Sequence, residues 1–340
     1  MTGSARKRLN LALQGGGAHG AFTWGVLDRL FEVEEVEIVG ISGTSAGAIN
    51  ASVVAHGLAA GGHEGARAAL GEFWNRTAAL AAWSPLQPSI WDRLSSPGNM
   101  DLSAAWLWFD AATRLFSPYQ LNPAAINPLR SLLLEVVDFD LLRHTRAVEL
   151  FLCATNVKTS RIKVFDHAEI TVDAVLASAC LPFLFQAIEI DGEFYWDGGY
   201  MGNPPIFPLI YHTDCSDVLI VQINPIVIDD VPMRAQEILD RMNELAFNSS
   251  LMREMRAIHF VGKLLQKHAL DETSYKQLRI HTIDAEREMA PLSMSSKLNA
   301  DRRFLHHLFD LGRTRADLFV RDHLDDVGRR STTDIVEKFL

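Results

Sequence analysis

Between Leu9 and Ala60 the chain twice runs an apolar strand into a glycine turn that opens a helix. Leu9–Gln14 (LNLALQ) is a short apolar run that ends in Gly15-Gly16-Gly17-Ala18-His19-Gly20. Phe22, Val26, Leu27, Leu30 and Val33 then follow at helical spacing over Gly20–Glu34. Glu37–Ser42 (EIVGIS) repeats the pattern, entering Gly43-Thr44-Ser45-Ala46-Gly47 and an Ala- and Val-rich helix over Ala46–Ala60. Strands alternating with helices predict an α/β fold with a mainly parallel central sheet flanked by helices.

The second turn matches G-x-S-x-G, with a strand before it and a small-residue helix after it, the context a nucleophile elbow requires. On such a strained turn the Ser45 hydroxyl projects out of the sheet, while Gly43 and Gly47 let strand and helix backbones approach. Ser45 also opens a helix, whose N-terminal dipole favours developing negative charge. The first turn contains a G-x-G-x-x-G pattern, but a dinucleotide site wants an acid at the end of the second strand, where this chain has Ser42-Gly43-Thr44-Ser45. The better reading is an oxyanion hole: glycines at a helix start expose backbone N–H groups, and neighbouring parallel strands would bring both loops to one sheet edge.

A serine nucleophile needs a proton acceptor. Twelve histidines offer candidates with no local signature. The alternative is Asp197 in Tyr195-Trp196-Asp197-Gly198-Gly199, whose aromatic neighbours would partly desolvate the carboxyl and raise its basicity. GGGAHG, GTSAG and DGG in this order resemble the patatin-like phospholipase family, with weaker similarity through Ala154–Phe165 and Ala177–Phe185, so that the likeness covers roughly residues 9–225. The resemblance implies a lipid acyl hydrolase of phospholipase A or lysophospholipase type that uses a Ser–Asp dyad. It implies Ser45 as nucleophile, Asp197 as proton acceptor, Gly15, Gly16 and Gly17 as the oxyanion loop, and Gly20, Gly43, Gly47, Gly198 and Gly199 as motif positions. No metal or cofactor is expected. One departure is His19, where family members often carry Arg or Lys.

The segment 83–128 differs from its surroundings. It holds six of the prolines and Trp83, Trp91, Trp106 and Trp108. It reads as an insertion with a helix near 101–116, either a lid or acyl-pocket wall, or a satellite core. Beyond it the pattern predicts paired strands at Val148–Val157 and Arg161–Phe165, a helix over Thr171–Cys180, and a hairpin around Asp191-Gly192. A strand at Asp217–Asn224, a long helical stretch over Pro232–Leu270 and a last strand at Leu278–Asp284 follow. Residues 9–285 read as the hydrolase domain and 286–340 as a helical C-terminal extension. The basic and acidic residues of that extension balance, so it reads as a solvated helical tail.

The formal net charge of -10 leaves no basic surplus for phosphate backbones, which excludes nucleic acid as the partner and disfavours broad adhesion to anionic membranes. A local apolar patch could still touch lipid. Cys153, Cys180 and Cys215 have no metal-binding spacing and read as buried free thiols in a reducing compartment. The apolar run after Arg6, Lys7 and Arg8 is too short for a signal peptide, and a cytoplasmic protein is expected. Two rival readings remain. A Ser–His–Asp esterase acting on soluble short-chain or hydroxyacyl esters would need a late histidine such as His212, His259, His281 or His306. A lipid-binding or regulatory protein of low turnover would keep the motifs without the rate.

Overall fold

A strand buried on both faces reads as a near-continuous apolar run, because no side of it meets water. Five such strands make the parallel part of the sheet in the computed structural model, which describes residues 6–271 and 275–340. They are β1 (Lys7–Leu13), β2 (Val36–Thr44), β3 (Glu149–Asn156), β7 (Asp217–Val221) and β8 (Arg279–Ile283). Shorter strands β4 (Ile162–Phe165), β5 (Ile188–Ile190) and β6 (Glu193–Asp197) are antiparallel, and the order is β5-β6-β3-β2-β1-β7-β8, with β4 also pairing β3. The hairpin expected around Asp191-Gly192 is formed, with both residues at positive φ.

Side chains alternate across the sheet. Leu9, Leu11 and Leu13 face one core together with α1 (Gly20–Leu30), α2 (Ala46–Ala81) and residues of α8 (Val172–Ser178). Ala12, Val218 and Ile220 face a second, smaller core with α9 (Phe207–His212), α10 (Ala235–Gln266) and the terminal α13 (Ile335–Phe339). Helix α2 begins with the helix expected over Ala46–Ala60 and runs on to Ala81, with a break at Gly61 and Gly62, whose backbone is not helical.

The insertion folds as α3 (Ile90–Ser95), α4 (Ala104–Leu115) and α5 (Pro118–Leu121), followed by α6 (Pro128–Val136) and α7 (Phe139–His144). It is not a satellite core. Trp106 is buried, but Trp83, Trp91 and Trp108 are 92%, 71% and 70% exposed. Leu94, Leu115 and Ile126 are exposed as well.

The expectation of a solvated tail is overturned. After the short α11 (Glu286–Met289), α12 (Arg302–His323) packs against α1 and buries Phe304, Leu305, Leu308, Ala316 and Phe319. A Cβ on Gly312 would overlap the Phe22 carbonyl, so the two helix backbones are in near contact there. Ion pairs seal the edge: Arg67 and Arg313 both reach Asp28 and Glu32, and Arg29 pairs with Asp317 at 2.9 Å. The balanced charges of the tail lie on the outer face of an amphipathic helix, and its apolar stripe is the inner one.

Candidate active site

The sheet order decides what can meet at its edge. Strands β1 and β2 are parallel neighbours, with Leu13 opposite Gly43. The glycine loop after β1 and the turn after β2 therefore emerge side by side. In the next strand Cys153 lies opposite Thr44, and beyond it Ala154 lies opposite Asp197 of β6. Asp197 is thus two strand spacings from the β2 terminus, roughly 10 Å between backbones, a gap that two inward-reaching side chains can close.

Ser45 sits between β2 and α2 with φ 55° and ψ -122°, a region that L-residues rarely occupy. Several contacts hold it there. Its N–H donates to Ser178 Oγ at 3.0 Å. A Cβ on Gly47 would overlap the Leu13 carbonyl, and one on Gly43 would meet the Gly47 carbonyl, so strand and helix pack at glycine distance. Gly20 sits against Ala46 and Trp74 and lets α1 approach α2. The strained turn is fixed by its neighbours, which is how such backbone persists.

Asp197 is fully buried. Its backbone is tied on both sides: N–H to the Cys180 carbonyl at 2.8 Å, and carbonyl from Thr155 Oγ1 at 2.8 Å. Oδ1 accepts the Gly199 N–H at 2.8 Å. Oδ2 has no hydrogen-bond partner among the described residues. Burial pushes the carboxyl up to about 7; the Gly199 N–H, the nearby Ser45 hydroxyl and Lys297 oppose the rise without cancelling it. Gly198 and Gly199 have no room for side chains, the first against the Cys153 carbonyl and the second against the Phe247 ring.

In the glycine loop the three glycines differ. The Gly15 N–H donates to Asn203 Oδ1 at 2.7 Å, and its Cα lies against Ser45. Gly15 is therefore a spacer whose donor is already committed. The N–H groups of Gly16 and Gly17 carry no hydrogen bond among the described residues. Gly17 has φ +60° and presses on the backbone carbonyl of Lys297, so only glycine fits. Beneath the loop Gln14 Oε1 accepts the N–H groups of Ile223 and Asn224 at 2.9 and 3.0 Å, and Asn224 Nδ2 donates to the Gly15 carbonyl at 2.7 Å.

His19 points away from this chemistry. Ser296 Oγ donates to the Ser293 carbonyl, so it accepts from His19 Nε2 at 2.7 Å, and Nδ1 is left without a partner. Burial, with Lys297 nearby, holds the ring down to about 3, and it is neutral. The late histidines lie elsewhere. His281 is buried between Asp217 and Thr332, His212 stacks on Phe151, and His306 packs on Trp24. Neither these nor His259 lines the cavity over Ser45.

That cavity is about 410 Å³, with Ser45, Gly16 and Gly17 on its floor. Trp106 and Phe109 of α4, Phe183 and Leu184 after α8, and Leu239, Met242 and Phe247 of α10 make an apolar wall. Arg114 and Asp110 pair on its side at 2.9 Å. Among the described residues no cluster of three His, Cys, Asp or Glu side chains is arranged to hold a metal ion. Sequence reasoning missed Asn203, Asn224 and Lys297. Asn203 follows the DGG turn closely and was within reach of the motif, whereas Lys297 sits in no recognisable pattern.

A family model described as patatin-like phospholipase matches residues 11–210, which contain the glycine loop, Ser45 and Asp197. The chain belongs to the patatin-like phospholipase family. With the family comes a reaction class, hydrolysis of lipid acyl esters. No curated protein sequence matches this patatin-like chain. Solved structures similar to it include the following two. VipD from Legionella pneumophila is 15% identical with a TM-score of 0.38, covering 91% of this chain and 68% of its own. The ExoU–SpcU complex of the type III secretion system of Pseudomonas aeruginosa gives 20% identity and a TM-score of 0.35, over 73% of this chain and 51% of the other. Both likenesses are distant, and membership rests on the matched residues alone.

Proposed function

We propose that this patatin-like chain is a serine acyl-ester hydrolase of phospholipase A or lysophospholipase type, working through a Ser45–Asp197 dyad. The observation that carries the reading is the free Oδ2 of a fully buried Asp197 facing a serine on a strained turn, at the floor of an apolar cavity. Asp197 takes the proton from Ser45 Oγ as the oxygen attacks the ester carbonyl. The N–H groups of Gly16 and Gly17 hold the oxyanion, with Gly15 setting their position. The tetrahedral intermediate collapses to acyl-Ser45, and Asp197 returns its proton to the departing alcohol. Asp197 then deprotonates a water, which attacks the acyl carbon; as the bond to Ser45 Oγ breaks, Asp197 returns that proton to the serine and the acid is released.

The hydrolase unit spans residues 9–285, and 286–340 is an extension that packs into it. The apolar wall suits an acyl chain, and the exposed tryptophans beside it suit contact with the surface of a lipid aggregate. No described helix is long and apolar enough to cross a membrane. A cytoplasmic setting is part of the reading, since the three buried thiols are unpaired. A triad has less support, because no histidine lines the cavity.

The test is hydrolysis of p-nitrophenyl esters of graded chain length by the wild type, Ser45→Ala and Asp197→Asn. Loss of activity in both variants is expected, roughly 10⁴-fold or more. Survival of Asp197→Asn alone would instead mean that a histidine is the base.

A further inference from the structure

Lys297 reaches the cavity from outside every motif. It lies in the short 3-10 segment Met294–Leu298, between α11 and α12. Its backbone carbonyl stands against Gly17. Lys297 lines the same cavity as Ser45, Gly16 and Gly17. Nζ donates to Asn224 Oδ1 at 3.0 Å, and Asn224 holds the Gly15 carbonyl. An ammonium has three donors, so two have no protein partner among the described residues.

The charges around it are Asp197 from β6, and Asp240 and Glu244 from α10. Burial pulls the ammonium below its ordinary value, and these three carboxylates offset only part of that. His19 nearby is a neutral ring, and Cys153, Cys180 and Tyr200, which lie near Asp197, are all held in their neutral forms by burial. The other basic group on the cavity wall, Arg114, already has two hydrogen bonds to Asp110. Lys297 is therefore the one lining cation without a dedicated carboxylate contact.

Attack on the ester moves a negative charge from Asp197 to an oxyanion beside Gly16 and Gly17. The ammonium acts electrostatically on Asp197, and the Lys297 backbone stands against Gly17, so the charge stabilises the ionised base before attack and the oxyanion after it. Ser45 and Asp197 are themselves buried, so that interaction is weakly screened. We infer that Lys297 is the fixed cation of this site, a positioning residue that keeps Asp197 ionised and braces the glycine loop through Asn224. The C-terminal extension thus supplies a part of the active site. This inference rests on the Ser45–Asp197 reading.

The experiment compares Lys297→Met, Lys297→Gln and Lys297→Arg with the wild type and Asp197→Asn, on the best p-nitrophenyl ester. Folding is checked by thermal melting. In Lys297→Met, kcat is expected to fall about 100-fold with little change in KM. The acid limb of its kcat/KM profile should move up by about one pH unit, because the ionised Asp197 has lost its cation. Lys297→Arg should return the limb towards the wild-type position. Lys297→Gln, which keeps a donor for Asn224, should not. If Lys297→Met does not fold, the Gln and Arg pair carries the test. A wild-type kcat and limb in either neutral variant overturns the inference. So does an equal loss in all three variants with the limb unmoved, which would be a packing effect. Full activity in Asp197→Asn would instead bring down the dyad reading itself.

Discussion

In the proposed dyad, a carboxyl that must be ionised to take a proton sits where ionisation is penalised. Asp197 gains basicity from this, since a carboxyl titrating at about 7 is a far better proton acceptor than one titrating at 3.8. The wild-type kcat/KM is accordingly expected to rise with pH through an acid limb near 7, measured on a soluble ester over about pH 5 to 9. The same shift carries a stability consequence. The folded state holds the Asp197 proton more tightly than the unfolded chain does. Folded stability therefore falls as pH rises from about 4 towards 7 and beyond. Asparagine does not ionise and escapes that loss. Thermal melts of Asp197→Asn and the wild type should lie closer together at pH 5 than at pH 8, the lead of the variant widening by a few degrees between the two. Glu254, also pushed up to about 7 by burial, titrates in both proteins and drops out of the comparison. A variant that melts lower at pH 8 would mean that the carboxylate is better solvated than its burial suggests.

At the scale of elements, what was legible had to be written locally. A nucleophile elbow needs glycine on either side of a strained serine, and a turn such as Asp197-Gly198-Gly199 leaves no room for side chains, so both geometries are spelled out in adjacent letters. The strands of the parallel sheet were legible for a similar reason, since burial on both faces demands continuous apolar runs. Helix α12 was misread because counting charge hid its spacing. Phe304, Leu308, Gly312 and Ala316 recur at intervals of four, with Phe319 next, and they form one face. Lys297 could not be read at all, because its place depends on closure between segments far apart in the chain. The α1–α12 contact gives a direct check. Gly312→Ala adds a Cβ where the Phe22 carbonyl already lies, and neither helix can yield without disturbing the core. Urea unfolding should show a loss of about 2–3 kcal/mol. A change within about 0.5 kcal/mol would mean that α12 is loosely docked and that the extension is not integral to the fold.

For the molecule as a whole, the question is how an acyl chain leaves a lipid aggregate for a cavity inside a protein of net charge -10. Electrostatic attraction to an anionic surface does not supply the force. Apolar area does: Trp91 on α3 and Trp108 on α4 face solvent, while Trp106 and Phe109 of the same α4 line the cavity. One short helix thus joins the exterior to the acyl wall, and burying its outer side in lipid would bring the cavity to the aggregate. An exposed tryptophan that buries about half its ring area contributes roughly 2 kcal/mol. Replacing Trp91 and Trp108 together by glutamate should weaken binding to phosphatidylcholine vesicles by on the order of 1,000-fold. Both side chains are solvated, so folding should be little affected. Hydrolysis of a monomeric p-nitrophenyl ester needs no surface and should stay near the wild-type rate, while hydrolysis of vesicle phospholipid should fall with the binding. Equal loss on both substrates would mean that α4 shapes the cavity and not the approach to it. No loss on either would move lipid contact to another face, with the exposed Val231 and Met233 just before α10 the next to replace.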